Sequence, residues 1–556
     1  MKWLAGAALG VLVAGACVAA EPAAWTGYRG PNFSGVFPDS RPPADCDMKT
    51  GRNVLWRTPL PNWSNGAPTA VKDRVFVLSE PGWRHDWPVL TCIDAASGKV
   101  LWEREVNHLP ATGLAPARQA EVARQWHDFH AAWRDLYQIF NLAVVQKKPQ
   151  EAEARFDALG CTFGGHRGGG YGQLRGLKAK PGRPDPRRFE VKEAGIRGET
   201  WHHGCGLGTD CIGMAFAAPV SDGRDVYVTA MFSGAACYDF QGNLRWLRFV
   251  PDVGRTEAYA RSPLLYGDLL VSDYFGKVVA FDKRTGEIRW TVETAGGSIA
   301  TPALIRAGGQ DILLTEGRGS GEGAFGVQAV RLPDGKHLPI QGWAIGGTQI
   351  MADTDRRDVA YFCGRGQHSA WPEAEDAAPP PTAVRFALQG DRLKATVLWD
   401  GKPFLGAGGY VGMLYHGGKL YGSTESTAVV IDAAAGRLAA GSMDRREMRQ
   451  AAKRPLPATR HLLLLAGDRF YGLRANNRTC DGHFETTATL SCHALDGRLL
   501  GQSILEAAPV EGEKLKQVRS AVGWDAWPFS YGLSYTIGGD RLYVRSFDEL
   551  ICIGEK

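Results

Sequence analysis

The chain's capacity for redox or metal chemistry rests on eleven cysteines and thirteen histidines among its 556 residues. The densest group is WHHGCGLGTDC, from Trp201 to Cys211, which places His202, His203, Cys205 and Cys211 within one short stretch. Two cysteines this close in an exported protein most often form a disulfide closing a small loop. The same four side chains could instead ligate zinc, but their spacing matches no standard site, so the Cys205–Cys211 disulfide is favoured and no metal site is assigned. Cys480 could pair with another loop cysteine, Cys363, Cys161 or Cys46, and the sequence does not choose among them. Cys92, Cys237, Cys492 and Cys552 have a plainer reading. They occupy one equivalent place in a recurring phrase, where a small buried side chain is wanted. Covalent haem of the usual kind is excluded, because Cys-x-x-Cys-His does not occur. The Gly-rich run GRGSGEGAFG (Gly317 to Gly326) lies between strands and lacks the following helix that phosphate binding requires.

That recurring phrase is what must position any such chemistry. CIDAASGKVLWEREV (Cys92 to Val106) returns as CYDFQGNLRWLRFV (Cys237 to Val250) and as AFDKRTGEIRWTVET (Ala280 to Thr294). Each copy reads as an apolar strand, an Asp that can hydrogen-bond its own turn, a Gly for the reversal, and a second strand carrying Trp. Trp246 and Trp290 lie 44 residues apart, the length of one four-stranded propeller blade. Three further segments keep the turn and lose the Trp: AVRLPDGKHL (Ala329 to Leu338), VIDAAAGRLAAG (Val430 to Gly441) and CHALDGRLLGQ (Cys492 to Gln502). TVLWD keeps the strand and Trp399. Trp56, in NVLWRTPL, stands in the same context as Trp102. The five tryptophans Trp56, Trp102, Trp246, Trp290 and Trp399 are therefore expected to dock one blade on the next.

The pattern A-x-D-x-x-x-G-x-x-x-W, matched at every fixed position by AFDKRTGEIRW, resembles the tryptophan-docking repeat of PQQ-type β-propellers. That superfamily holds quinoprotein alcohol dehydrogenases and the outer-membrane assembly lipoprotein BamB. The resemblance implies an all-β propeller and covers most of the chain after Asn53 apart from one insertion; the strand sets read along the chain, closed by the N-terminal strand, make it eight-bladed. It is less specific for activity. The dehydrogenases usually carry adjacent cysteines forming a vicinal disulfide over the quinone, and this chain has no Cys-Cys pair. Calcium and PQQ would need a set of acids and amides near the channel. Glu316, Asn476, Asp273 and Glu425 are candidates, although acids at strand ends more often cap turns. No catalytic or cofactor-binding residue is carried over, so no cofactor is expected except under a dehydrogenase reading.

Along the chain, residues 1–20 read as an export signal: Lys2, an apolar core from Leu4 to Val13, and small residues before Glu21. Cys17 raises a lipoprotein alternative; otherwise the protein is expected to be periplasmic or secreted. Residues 21–52, rich in Gly, Pro and aromatics, are expected to form an extended leader strapped to the propeller surface. Residues 53–106 supply a closing strand and the first blade, with Asn53–Leu60 pairing with Asp548–Gly554 to complete the ring and remove open sheet edges. Residues 107–213 are an insertion. Its apolar positions Val122, Trp126, Phe129, Trp133, Leu136 and Phe140 fall at helical spacing, and Glu151–Gly160 continues a helical hairpin. Gly164 to Arg197 reads as a loop. Residues 214–556 hold the remaining blades.

Composition narrows the function. Gly 70 suits a fold of many short turns, and a net charge of +5 without a basic block argues against nucleic acid. No segment is long and apolar enough to span a membrane. The aromatic run WDAWPFSYGLSY (Trp524 to Tyr535) is expected in inter-blade packing, with sugar binding as the alternative. The preferred reading is an exported, non-catalytic propeller that binds a protein or glycan partner through its rim or insertion. The alternative is a divergent PQQ-dependent dehydrogenase oxidising alcohols or sugars.

Overall fold

The computed structural model describes residues 26–31, 33–60, 66–79, 87–144, 148–163, 177–183, 188–199, 217–230, 234–252, 262–274, 276–294, 302–318, 325–342, 349–363, 382–400, 413–423, 428–439, 462–475, 487–506, 534–546 and 549–556. Their strands build the eight blades of a propeller, each with a four-stranded antiparallel core; leader strands extend the sheets of blades 2 and 7, and Ile340–Gln341 extends that of blade 5. Blade 1 runs over Thr69–Glu105, blade 2 over Val220–Phe249, blade 3 over Leu264–Glu293 and blade 4 over Ala303–Leu338. Blade 5 spans Gln349–Asp400, blade 6 Leu414–Leu438, blade 7 Leu462–Glu506, and blade 8 Ser534–Gly554. Blade 8 takes its fourth strand from the other end of the chain. Val54–Pro59 lies antiparallel to Glu549–Gly554, with Trp56 opposite Cys552 and Arg57 opposite Ile551.

Sequence pattern explains the radial order. Third strands such as Lys277–Asp282 are nearly continuous apolar runs, and this one is buried after its first residue, as expected of a strand covered on both faces. Outer strands such as Ile288–Glu293 are mainly exposed or partly exposed. First strands face one another around the axis and line the central channel. Each inter-blade seam is an apolar layer. One core cluster joins Leu270 and Phe281 of blade 3 to Val220 and Tyr227 of blade 2 and Leu313 of blade 4. Another joins Val75 of blade 1 to Cys552 of blade 8, so the two ends of the chain are sealed together.

Six outer strands carry a β-bulge at one equivalent place, opposite Cys92, Cys237, Ala280, Ala383, Cys492 and Cys552. The extra residue twists the outer strand locally and re-aims the next side chain. In five of the six, that side chain is the Trp, facing the small residue across the ladder: Trp102 on Cys92, Trp246 on Cys237, Trp290 on Ala280, Trp399 on Ala383 and Trp56 on Cys552. The four cysteines of the repeat are buried free thiols, and burial pushes Cys92 and Cys552 up to about 12. Their place is structural. Cys46 is also a buried free thiol, which removes it from the candidate partners of Cys480.

The insertion holds two helices, α1 (Pro116–Val144) and α2 (Pro149–Ala158). Val122, Trp126 and Phe129 are buried, as their spacing predicts; the side chains of Trp133, Leu136 and Phe140 lie outside the described residues. The stretch read as a loop from Gly164 to Arg197 is partly strand instead. Leu177–Ala179 pairs with Cys161–Phe163, and Arg188–Val191 pairs with Ile196–Glu199. Phe189, Val191 and Ile196 supply the apolar face that α1 needs, closing one cluster with Trp126 and Phe129. Trp87 of blade 1 and Phe249 of blade 2 pack on that cluster, which fixes the insertion to the side of these two blades. No helix among the described residues is long and apolar enough to cross a membrane.

The leader lies on the outside only in its second part, residues 38–52, where Arg41 N–H bonds to Asp540 of blade 8 and Cys46 N–H to Ser503 of blade 7; its first part runs elsewhere. Thr26–Gly27 and Gly30–Pro31 form a small hairpin, with Thr26 pairing with Ser221 on the first strand of blade 2. Val36–Phe37 then runs parallel to Leu465–Ala466, on the first strand of blade 7. Both are innermost strands, so residues 26–31 and 33–37 sit in the channel. The exposed edges of first strands offer unpaired backbone groups, and a Gly-rich segment with little side-chain bulk can reach them. Composition alone showed an extended segment but not which edge it would meet.

Candidate functional site: docking turns and a filled channel

Four of the five docking tryptophans make the same indole hydrogen bond. The Nε1–H of Trp56 donates to Ala95 O at 3.2 Å, that of Trp102 to Phe240 O at 2.9 Å, that of Trp246 to Lys283 O at 2.9 Å, and that of Trp399 to Ala433 O at 2.9 Å. The acceptor is always the residue after the turn Asp of the next blade: Asp94, Asp239, Asp282 or Asp432. That Asp holds its turn as expected. Asp282 Oδ1 accepts from the backbone N–H of Arg284 and Thr285, and Asp432 Oδ1 from Ala434 and Ala435. The Ser97 hydroxyl and backbone N–H keep the Asp94 carboxyl below its usual range.

The turn glycine has two roles. All five lie at positive φ, from 65° at Gly436 to 81° at Gly242, and each lies beneath an indole of the preceding blade. A Cβ on Gly98, Gly242, Gly286, Gly335 or Gly436 would stand 2.4–2.7 Å from the ring of Trp56, Trp102, Trp246, Trp290 or Trp399. A second donor, two residues after the Trp, escaped the sequence reading. Thr58 Oγ1 donates to Gly98 O at 2.6 Å, Arg104 Nε to Gly242 O at 2.7 Å, and Arg248 to Thr285 O at 2.7 Å. A donor-bearing side chain recurring at Trp plus two was the available signal.

Trp290 is the exception among the five. The next turn has Arg331 where the others have Asp, the outer strand after that turn, Lys336–Leu338, carries no bulge, and Trp290 Nε1 is buried with no hydrogen-bond partner among the described residues. Trp290→Phe is therefore expected to lower stability less than Trp102→Phe, by about 1 kcal/mol, the usual net contribution of a hydrogen bond. The difference is read from paired urea-unfolding midpoints, and equal losses would show that the indole N–H bonds add nothing.

Blade 7 has the bulge and the buried cysteine but no Trp: Cys492 faces Gly501. Here the leader replaces the indole. Ala44, Cys46 and Met48 pack into the core shared by blades 7 and 8, and the backbone N–H of Cys46 donates to Ser503 Oγ at 2.7 Å. A Cβ on Gly501 would lie 2.7 Å from Ala44 O, so the position must remain glycine while the leader is present.

Within the channel, Arg29 is 3% exposed and donates to Met413 O of blade 6 at 2.9 Å. Tyr28 packs on the blade 7–8 core and Phe33 on the blade 2–3 core. The leader backbone is held on blade 7 by Leu465 N–H donating to Gly35 O at 2.7 Å and Gly467 N–H to Phe37 O at 3.0 Å. Of the candidate calcium and quinone ligands, Asp273 is buried and accepts from Thr315 Oγ1 at 2.7 Å. Glu316 pairs through its backbone with Val327 in blade 4. Asn476 and Glu425 lie outside the described residues, as do Cys17, His202, His203, Cys205, Cys211 and Cys480. No group of three or more His, Cys, Asp or Glu among the described residues is placed to hold a metal. The leader meets inner strands against which a channel ligand would rest. Of the aromatic run from Trp524, Tyr535 is fully buried and donates to Tyr471 O at 2.8 Å across the blade 7–8 seam.

Docked indoles, Asp–Gly turns and eight sheets define the class of tryptophan-docked β-propellers. A family model described as outer membrane protein assembly factor BamB matches residues 44–128 and 197–340. Over those residues, which are less than half of the chain, the protein is similar to that family, and the described strands have the arrangement of a β-propeller. It is similar, at 32% identity over 124 residues, to the serine/threonine-protein kinase AfsK of Streptomyces griseus; that match covers 22% of this chain and 15% of the kinase. Among solved structures, BamB from Moraxella catarrhalis aligns over 60% of this chain and 82% of its own, at 11% identity and a TM-score of 0.34. Quinohemoprotein alcohol dehydrogenase from Comamonas testosteroni aligns over 90% of this chain and 76% of its own, at 12% identity and a TM-score of 0.40.

Proposed function

We propose that the protein is an exported, periplasmic or secreted binding and scaffolding module whose rim or insertion engages a protein or glycan partner, and that it does not catalyse quinone-dependent oxidation. The observation that carries this reading is the leader hairpin in the channel, with Arg29 buried on Met413 O. A propeller whose axis is occupied by its own backbone presents its remaining recognition surface at the periphery. There the insertion adds a second layer to blades 1 and 2. Absence of a Cys-Cys pair agrees with this reading.

The test is direct. Purified protein is supplied with PQQ and calcium and assayed for dye reduction with alcohols and sugars, and for quinone binding by absorbance. No turnover and no saturable quinone binding are expected. Turnover would establish the dehydrogenase alternative and end the scaffolding reading.

A further inference from the structure

We infer that the channel is a strand-accepting peptide site whose resident ligand is the chain's own leader, residues 26–37. The site is built from backbone edges. Ser221 on blade 2 pairs with Thr26, and Leu465 and Ala466 on blade 7 pair with Val36 and Phe37. Addition of an extended segment to an exposed strand edge is a general mode of peptide capture, in which main-chain hydrogen bonds hold the ligand and side-chain pockets select it. The selecting contacts are Arg29 on Met413 O, Tyr28 on the blade 7–8 core and Phe33 on the blade 2–3 core. The ligand class is thus an extended peptide bearing a tight turn with an aromatic residue and an arginine, GYRG in this chain.

Shape selects the same sequence. Gly30 has a φ of +74°, and a Cβ there would stand 2.1 Å from the Phe37 ring. The segment therefore packs on itself before it packs on the blades. It also ends at a natural boundary: Pro38 and Asp39 are exposed, between buried Phe37 and buried Ser40. Beyond that boundary the chain is tied down separately, by Arg41 N–H on Asp540 and by Cys46 on Ser503. Residues 26–37 are thus one ligand-like unit, distinct from the anchor that delivers the closing strand. The inference rests on the reading of the channel as filled by the chain itself but not on the absence of catalysis.

The test uses the full chain with a site-specific protease site placed between Pro38 and Asp39. After cleavage, the fragment ending at Pro38 is expected to co-elute with the propeller. It is also expected to exchange with a labelled peptide of residues 26–37, while the same peptide carrying Gly30→Val does not exchange. Loss of the fragment on gel filtration would overturn the proposal. Equal exchange of both peptides, or of neither, would also overturn it. Should the inserted site prevent folding, Gly30→Val in the intact chain gives a second reading. Trypsin cleavage after Arg29, followed by mass spectrometry, is expected to accelerate by at least about tenfold as the segment leaves the channel. Equal cleavage in both proteins would refute the assignment. Quinone binding is a separate readout, so failure of one claim leaves the other standing.

Discussion

Trp246→Ala is expected to destabilise the protein by about 3–5 kcal/mol, the range for deleting a large buried aromatic side chain. Trp246 is 5% exposed, its ring lies 6.1 Å from Phe281 and 6.3 Å from Tyr227, and its Nε1–H is bonded to Lys283 O. The substitution opens a cavity at the seam of blades 2 and 3 and leaves a turn carbonyl without its donor. Relaxation is restricted, because each blade is held by neighbours on both sides and cannot collapse into the gap. Gly286→Val attacks the same contact from the other side. It forces a β-branched residue to a φ of +73° and places Cβ 2.6 Å from the indole, so it is expected to cost at least as much. Urea unfolding of both variants, followed by tryptophan fluorescence and by circular dichroism, checks the pair. A loss below about 1 kcal/mol for Trp246→Ala, the scale of an ordinary surface change, would show that the indole does not hold the seam.

The seams were legible because docking needs three residue types at fixed spacing, and each type is demanded by a separate physical cause. Asp closes the turn, Gly supplies both the positive φ and the flat floor, and Trp fills the gap. The helix carrying Val122, Trp126 and Phe129 was legible for a similar reason, since a repeating apolar face has few alternative uses. What could not be read was carried by backbone or by substitution in space. The channel segment contributes two-residue strands, Thr26–Gly27 and Val36–Phe37, too short to show any alternation. Its partners lie far away in sequence, at Ser221 and Leu465. Replacement of the missing blade 7 indole by Ala44, Cys46 and Met48 is likewise invisible from either segment alone. Gly501 reads as a lost Trp, and only its contact with Ala44 O shows what fills the place.

Legibility also differs between the two faces of the insertion. Its helical core was announced by periodicity, whereas the pairing of Arg188–Val191 with Ile196–Glu199 was not, because RFEV and IRGE carry charges at alternate places without a turn of obvious type between them. The reversal is made by Lys192–Ala194 and by Gly195 at a φ of 64°. That same glycine packs against Pro251 and Asp252 at the end of blade 2, and its backbone O accepts from Asp252 N–H at 3.0 Å. A residue chosen for an inter-element contact carries no signature in its own segment.

The attachment of the insertion should also respond to acid through His108. This side chain is 1% exposed, its ring stacked at 5.4 Å on Phe249 and edge-on at 5.1 Å to Trp87. Burial drives its pKa down to about 3 from an ordinary 6.5. The folded protein therefore keeps the imidazole neutral at a pH where the unfolded chain takes up a proton. The unfolded state binds more protons between these values, so stability rises with pH across the window and falls as pH drops from 6.5 towards 3. If the entire difference is realised, the loss is on the order of 4 kcal/mol by pH 3, since each tenfold in proton affinity is worth about 1.4 kcal/mol. Hydrogen exchange of α1 between pH 7 and pH 4 is expected to show the insertion loosening, while the blade 3 strands stay protected. His108→Phe keeps an aromatic ring between Trp87 and Phe249 but cannot titrate. It should flatten the acid response of α1, and an unchanged response in that variant would assign the effect to other groups.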